Sequence, residues 1–249
     1  MFLGPSWAFY LIVLLVTVIG ASELFAMTHP TDRVAQVIGT VTTAGVSVTL
    51  YSQSHDARAL LTLVCAVTIL GALVPLWRLG RIEDAALRIL AGIAGPFYVG
   101  GLLATIALLR RDLGSTGPHF VLFALMVAWL GDTGGYFAGR YLGKTKLYEA
   151  VSPKKTREGF AGSLGGSVAG ALLAHFWYLP SLPLGPGILL ALFAGALGQF
   201  GDLVESLLKR STGIKDSGWI VPGHGGILDR IDALLVVSPI IYVYAAWFG

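Results

Sequence analysis

The chain has 249 residues, 55% of them hydrophobic and 12% charged, with a mean hydropathy of +0.75. A soluble domain carries about 25% charged residues, so the composition excludes an ordinary soluble globular protein, a disordered chain and a collagen-like one. The net charge of +3, from 17 Lys and Arg against 14 Asp and Glu, is too slight an excess to indicate a nucleic-acid partner. It suits a membrane protein with basic loops on one side.

Apolar runs of about 20 residues mark bilayer spans. They fall at 7–25, 34–50, 57–77, 85–109, 119–141 (interrupted by Asp132), 160–179, 186–208 (interrupted by Asp202 and Glu205) and 231–248. The pattern predicts an all-α, polytopic transmembrane protein of about eight spans, with seven to nine as the range. Two spans are open to question: 34–50 is short and rich in Thr and Gly, and Gly95-Pro96 could split 85–109. No Lys or Arg precedes Arg33, so the first run is expected to be a retained helix, not a cleaved signal. The single cysteine, Cys65, is expected to be a small buried hydrophobe.

Residues 1–117 read as a transmembrane scaffold, and residues 118–249 as a catalytic region with loops at 140–159 and 209–230. Six cations against Glu149 alone lie in 140–157, and four more lie in 209–230. The connector 180–186 between the intervening spans has no charge, which places both basic loops in the cytosol. Arg110 and Arg111 fall on the opposite side, a local exception.

Three constellations carry chemistry. In the first, Asp132, Tyr136 and Arg140 recur at helical spacing and share a face. That face reads either as a cation or substrate site at the mouth of the span or as an internal Asp–Arg pair. In the second, Ser152-Pro153-Lys154-Lys155-Thr156-Arg157 opens a helix. Its cations and the helix start suit an anion, although a basic flank beside anionic headgroups has the same composition. The third runs from Gly201 to Asp232. Asp202, Glu205, Ser206 and Lys209 form one polar stripe on an apolar helix, and Asp229 and Asp232 lie one turn apart. Carboxylates beside Lys, Arg and glycine N–H groups are what a metal–polyphosphate complex requires. His224, between glycines, could bond a phosphate or tie down its own loop. A Walker A run, Cys–His zinc spacing and G-x-S-x-G are absent from the sequence.

The stretch 206–232 reads S-x-x-K-R-x4-K-D-x-G-x3-P-G-H-G-G-x-x-D-R-x-D and resembles the hallmark of the phosphatidate cytidylyltransferases (CDP-diacylglycerol synthases), with every fixed position filled. The stretches 132–144 and 152–159 resemble the family's other two blocks, with Gly135 where Ala is expected. The resemblance implies transfer of a cytidylyl group from CTP to phosphatidic acid in phospholipid biosynthesis, giving CDP-diacylglycerol and pyrophosphate. It implies Mg²⁺, with a second cation possible, held by Asp202, Glu205, Asp229 and Asp232. Asp132, Lys209, Asp229 and Arg230 would be catalytic. Ser152, Lys154, Lys155, Arg157, Arg210, Lys215, His224, Gly225 and Gly226 would hold substrate. Asp216 would orient these groups. A homodimer in a bacterial cytoplasmic membrane, with the site facing the cytosol, is also implied. The alternatives are a CTP-dependent polyprenol or phytol kinase and, from the intramembrane acids, an ion-coupled transporter.

Overall fold

The computed structural model describes residues 4–218 and 225–248. Among these residues, eight helical stretches are long and apolar enough to cross a bilayer. The chain divides into two compact units. One comprises residues 7–107 and 212–230, and the other residues 1–6, 108–211 and 231–249.

The first unit is built from α1 (Ser6–Thr28), α2 (Arg33–Gln53), α3 (Ala57–Trp77), α4 (Ala85–Gly95) and the start of α5 (Leu102–Asp112). The Thr- and Gly-rich run is a full helix. Asp32 caps it by accepting from the Ala35 N–H at 3.1 Å. The hydroxyls of Thr40, Thr42 and Thr43 each donate 2.8 Å bonds to the carbonyl four residues back. With their polarity spent inside the helix, these threonines are compatible with an apolar surround.

Gly95-Pro96 does not split the next span. Proline removes one N–H from the helical ladder, and residues Pro96–Gly101 wind as a wider π-turn that joins α4 to α5. Gly100 lies so close to the Thr43 carbonyl of α2 that a Cβ has no room.

An ionic cluster ties the short connections of this unit together. Asp32 accepts from Arg88 at 2.8 Å and from Arg78 at 3.2 Å. Burial opposes ionisation of Asp32, but the Ala35 N–H and the Arg78 and Arg88 guanidiniums outweigh it and hold the carboxyl below its usual range. Burial, reinforced by Arg88, lowers the neighbouring His29 to about 4.

Cys65 is exposed on α3 and not buried as expected. The buried residues of that helix are Val67, Gly71 and Pro75, so most of its surface faces outward. In a bilayer this outward surface meets lipid, where a thiol is no less apolar a neighbour.

The second unit holds α6 (Gly117–Leu142), a hairpin of β1 (Lys146–Tyr148) and β2 (Ser152–Thr156), α7 (Arg157–Leu173), α8 (Leu184–Ser211) and most of α9 (Leu228–Phe248). α6 packs chiefly on α7, and α7 on α8. Gly134 and Gly162 lie against each other's carbonyls, so a side chain on either would drive the helices apart. The hairpin departs from the purely helical expectation. Its strands pair antiparallel, with Lys146 opposite Thr156 and Tyr148 opposite Ser152. Glu158 pins the turn into it, accepting from the Lys144 and Thr145 N–H groups at 3.1 and 3.2 Å.

The basic exception is offset at Arg111. Arg111 pairs with Asp112 at 2.6 Å, Asp112 also accepts from the Tyr242 hydroxyl at 2.8 Å, and Arg110 donates to the Gly4 carbonyl at 2.9 Å.

Candidate active site

In the second unit α6, the hairpin, the start of α7 and α8 enclose a cleft of about 390 Å³. Asp132, Tyr136 and Arg140 line it together, as their spacing on α6 predicts. Arg140 donates to the Tyr136 hydroxyl at 2.5 Å, and its guanidinium lies 5.9 Å from the ring centres of both Tyr136 and Tyr141. It does not serve as the ion-pair partner imagined for Asp132. Instead Asp132 accepts from the Gln199 amide at 3.1 Å.

The opposite wall comes from β2 and α7. Lys154 is exposed in the cleft. Lys155 reaches across to α8, where it pairs with Asp202 Oδ2 at 2.8 Å and donates to the Gln199 carbonyl at 3.2 Å. Thr156 caps α7, accepting from the Gly159 N–H at 3.1 Å. Arg157, exposed at the first position of α7, donates its backbone N–H to the Thr145 carbonyl. Ser152 is half-buried in β2 opposite Tyr148.

The stripe on α8 forms as predicted. Ser206 donates to Asp202 at 3.4 Å, and Lys209 pairs with Glu205 at 2.6 Å. Glu205 is only 1% exposed, and Arg210 faces outward beyond it. On α9, Asp232 is 8% exposed and within electrostatic reach of Asp202, Glu205 and Asp132. These four acids offer hard oxygen donors of the kind that suit Mg²⁺. Among the described residues, however, no three acidic, His or Cys side chains converge to hold an ion.

The other candidates belong to the first unit. Asp229 Oδ2 accepts from the Ser217 hydroxyl at 2.9 Å and from the Ser217 and Gly226 N–H groups at 3.0 and 2.8 Å. Gly225 has φ +83°, and a Cβ there would stand 2.6 Å from Asp229 Oδ2. Lys215, Asp216 and Arg230 are exposed. His224 and Gly223 lie outside the described residues.

Sequence reasoning did not find Gln199, Thr156, Glu158 or Glu23. Gln199 sits three residues before Asp202 and so extends the same polar stripe, a signal present in the spacing. Glu23 stands as an acid inside the first apolar run, which is itself a sign of function.

The sequence model of the family described as "Cytidylyltransferase family" matches residues 1–248. A phosphatidate cytidylyltransferase of Bacillus subtilis (strain 168) is 48% identical over 142 residues, covering 56% of this chain and 52% of its own. One from Staphylococcus saprophyticus is 46% identical over 129 residues, covering 52% and 50%. One from Brucella suis biovar 1 is 41% identical over 198 residues, covering 78% and 68%. The chain spans about half the length of the first two of these curated relatives.

Proposed function

This chain belongs to the cytidylyltransferase family, and from that premise we propose that it transfers a cytidylyl group from CTP to phosphatidic acid within a membrane. A phosphate oxygen of the lipid attacks the α-phosphorus of CTP. The bond from that phosphorus to the bridging oxygen breaks, and pyrophosphate leaves with the electron pair. The nucleophile is already an anion at neutral pH, so the work left to the protein is positioning and charge stabilisation. The observation that carries the reading is Lys155, held by Asp202 and the Gln199 carbonyl at one wall of a cleft that also exposes Lys154 and Arg140. Cations fixed in this way bring two anionic substrates together at low repulsion.

In this reading Lys154, Lys155 and Arg140 meet phosphate oxygens in the cleft, with Ser152 and Arg157 beside it. Lys209 and Arg210 of the same unit meet the remaining charge of the triphosphate. Asp202 and Asp232 would be the first ligands of a metal ion, with Asp132 and Glu205 second in order. Lys155 pairs with Asp202 and Lys209 with Glu205, and hard oxygen donors of this kind suit a divalent cation. Mg²⁺, when bound, neutralises charge on the leaving pyrophosphate.

Purified full-length chain is tested in mixed lipid–detergent micelles with CTP, phosphatidic acid and Mg²⁺. Equal amounts of CDP-diacylglycerol and pyrophosphate are expected, with turnover abolished by EDTA and restored by Mg²⁺. Release of CDP with a newly phosphorylated lipid would instead identify a CTP-dependent kinase. We also place the cleft on the cytosolic side of a cytoplasmic membrane, supported by the basic loops on its side. Tyr148→Cys in a Cys65→Ser background should then react with an impermeant maleimide in inverted vesicles and not in right-side-out ones. A homodimer is carried by the family resemblance alone, and mass measurement in detergent decides it.

A further inference from the structure

We propose that Glu23, an acid buried in the first helix, is a positioning residue that ties Ser217 to the first N–H groups of α9 and so positions this end of the chain for CTP. This rests on the cytidylyl-transfer reading given above.

An ionised acid in an apolar helix is unfavourable unless donors surround it, and Glu23 is 5% exposed. Its donors all come from residues about 200 positions later. The Ser217 hydroxyl, which shares its one proton with Asp229 Oδ2 at 2.9 Å, lies 3.2 Å from Oε2, and the Ile227 and Leu228 N–H groups donate at 3.0 and 2.8 Å. The carboxylate therefore joins Ser217 to Ile227 and Leu228.

The arrangement answers a need of α9. The first N–H groups of a helix have no partner within it, and Ile227, at the position before α9, has no side-chain oxygen to offer. Asp229 takes the Gly226 and Ser217 N–H groups, and Glu23 takes those of Ile227 and Leu228. Negative charge here also faces the positive end of the helix dipole. Two glycines make the approach possible. A Cβ on Gly218 would run into Glu23 Oε1, and one on Gly226 would stand 2.5 Å from Glu23 Oε2. In this structure the second glycine of the Gly225-Gly226 pair makes room for a side chain from the far end of the sequence.

Glu23→Gln in the full-length chain keeps the shape and one acceptor oxygen, but turns an NH₂ group toward a backbone N–H. We expect kcat/KM for CTP to fall about 10- to 100-fold, as for loss of a charged hydrogen bond. KM for phosphatidic acid should stay within about twofold. Amide exchange at Ile227 and Leu228 should quicken at least about tenfold. Wild-type kcat/KM for CTP, or unchanged exchange at both amides, overturns the proposal. An equal loss toward both substrates also overturns it, because the contact would then serve only the fold. If Glu23→Gln does not accumulate, Ser217→Ala removes one donor. It should still lower kcat/KM for CTP at least about threefold, and an unchanged value counts against the clamp. Wild-type protein that makes no CDP-diacylglycerol defeats the functional reading instead, while the exchange measurement still judges the clamp.

Discussion

Lys155→Met removes the cation that pairs with Asp202 and keeps the length of the side chain. At 2.8 Å and an effective dielectric of about 20, the bare attraction is about 6 kcal/mol. Most of it is offset by desolvation. The side chains are 17% and 30% exposed, between exposed pairs, which contribute under about 1 kcal/mol, and buried pairs, which cost about 3–5 kcal/mol to break. A net loss of about 2 kcal/mol is the resulting expectation, or about 30-fold in kcat/KM. The loss should be felt because Asp202 would then lie uncompensated near Asp232, itself within reach of Glu205 and Asp132. The assay is CDP-diacylglycerol formation by wild type, Lys155→Met, Asp202→Asn and the double variant, with thermal unfolding in detergent alongside. Coupling of at least about 1 kcal/mol between the two sites is expected in the cycle. Single-variant activity within threefold of wild type, or strict additivity, would refute the reasoning.

Acidification should lower the unfolding temperature in detergent through two groups. Asp32 is held below its usual range, so its stabilisation is complete above the unfolded value near 3.9 and is lost as pH falls through the folded value. His29 stays neutral down to about 4 while an unfolded His protonates near 6.5, so stability also declines between those values as pH falls. A flat profile from pH 7 to 4 would contradict the His29 assignment, a flat one below pH 4 would contradict that of Asp32, and Asp32→Asn should cost about 3 kcal/mol at pH 7 by stranding Arg88. Gly134→Ala should destabilise by about 1–3 kcal/mol, read by thermal unfolding, because the methyl meets the Gly162 backbone. Thr156→Ala should cost about 1 kcal/mol of stability through the lost cap on α7; no change would show that the cap is dispensable.

The spans were legible because each is an apolar run near bilayer length, and the stripe on α8 because period 3.6 places Asp202, Glu205 and Lys209 on one face. The hairpin was hidden, since three residues of β1 and five of β2 carry too little alternation to stand out between basic residues. Pro96 raised the question of a split because a proline's missing N–H is visible in sequence, whereas the π-turn that carries the helix past it is not. Spacing put Asp132 and Arg140 on one face and left open whether they pair or line a site. Their partners, Gln199 and Tyr136, were decided by where α8 lies and by which ring stands one turn away. Glu23 was the clearest loss. Its meaning depends on a contact across about 200 residues, which no local pattern encodes.

The height of the cleft within the spans has a consequence for screening. α6 rises about 22 Å from Gly117 to Asp132, and α8 about 27 Å from Leu184 to Asp202, at 1.5 Å per residue. If each helix enters the hydrocarbon at its first residue, a core about 30 Å thick puts Asp132 about 8 Å and Asp202 about 3 Å below the nearer edge. A phospholipid can present its phosphate at that level with its chains still in their leaflet, whereas a soluble anion has to descend from bulk water. Added salt should therefore weaken attraction at the rim well before it reaches the Lys155–Asp202 pair, because mobile ions do not follow into hydrocarbon.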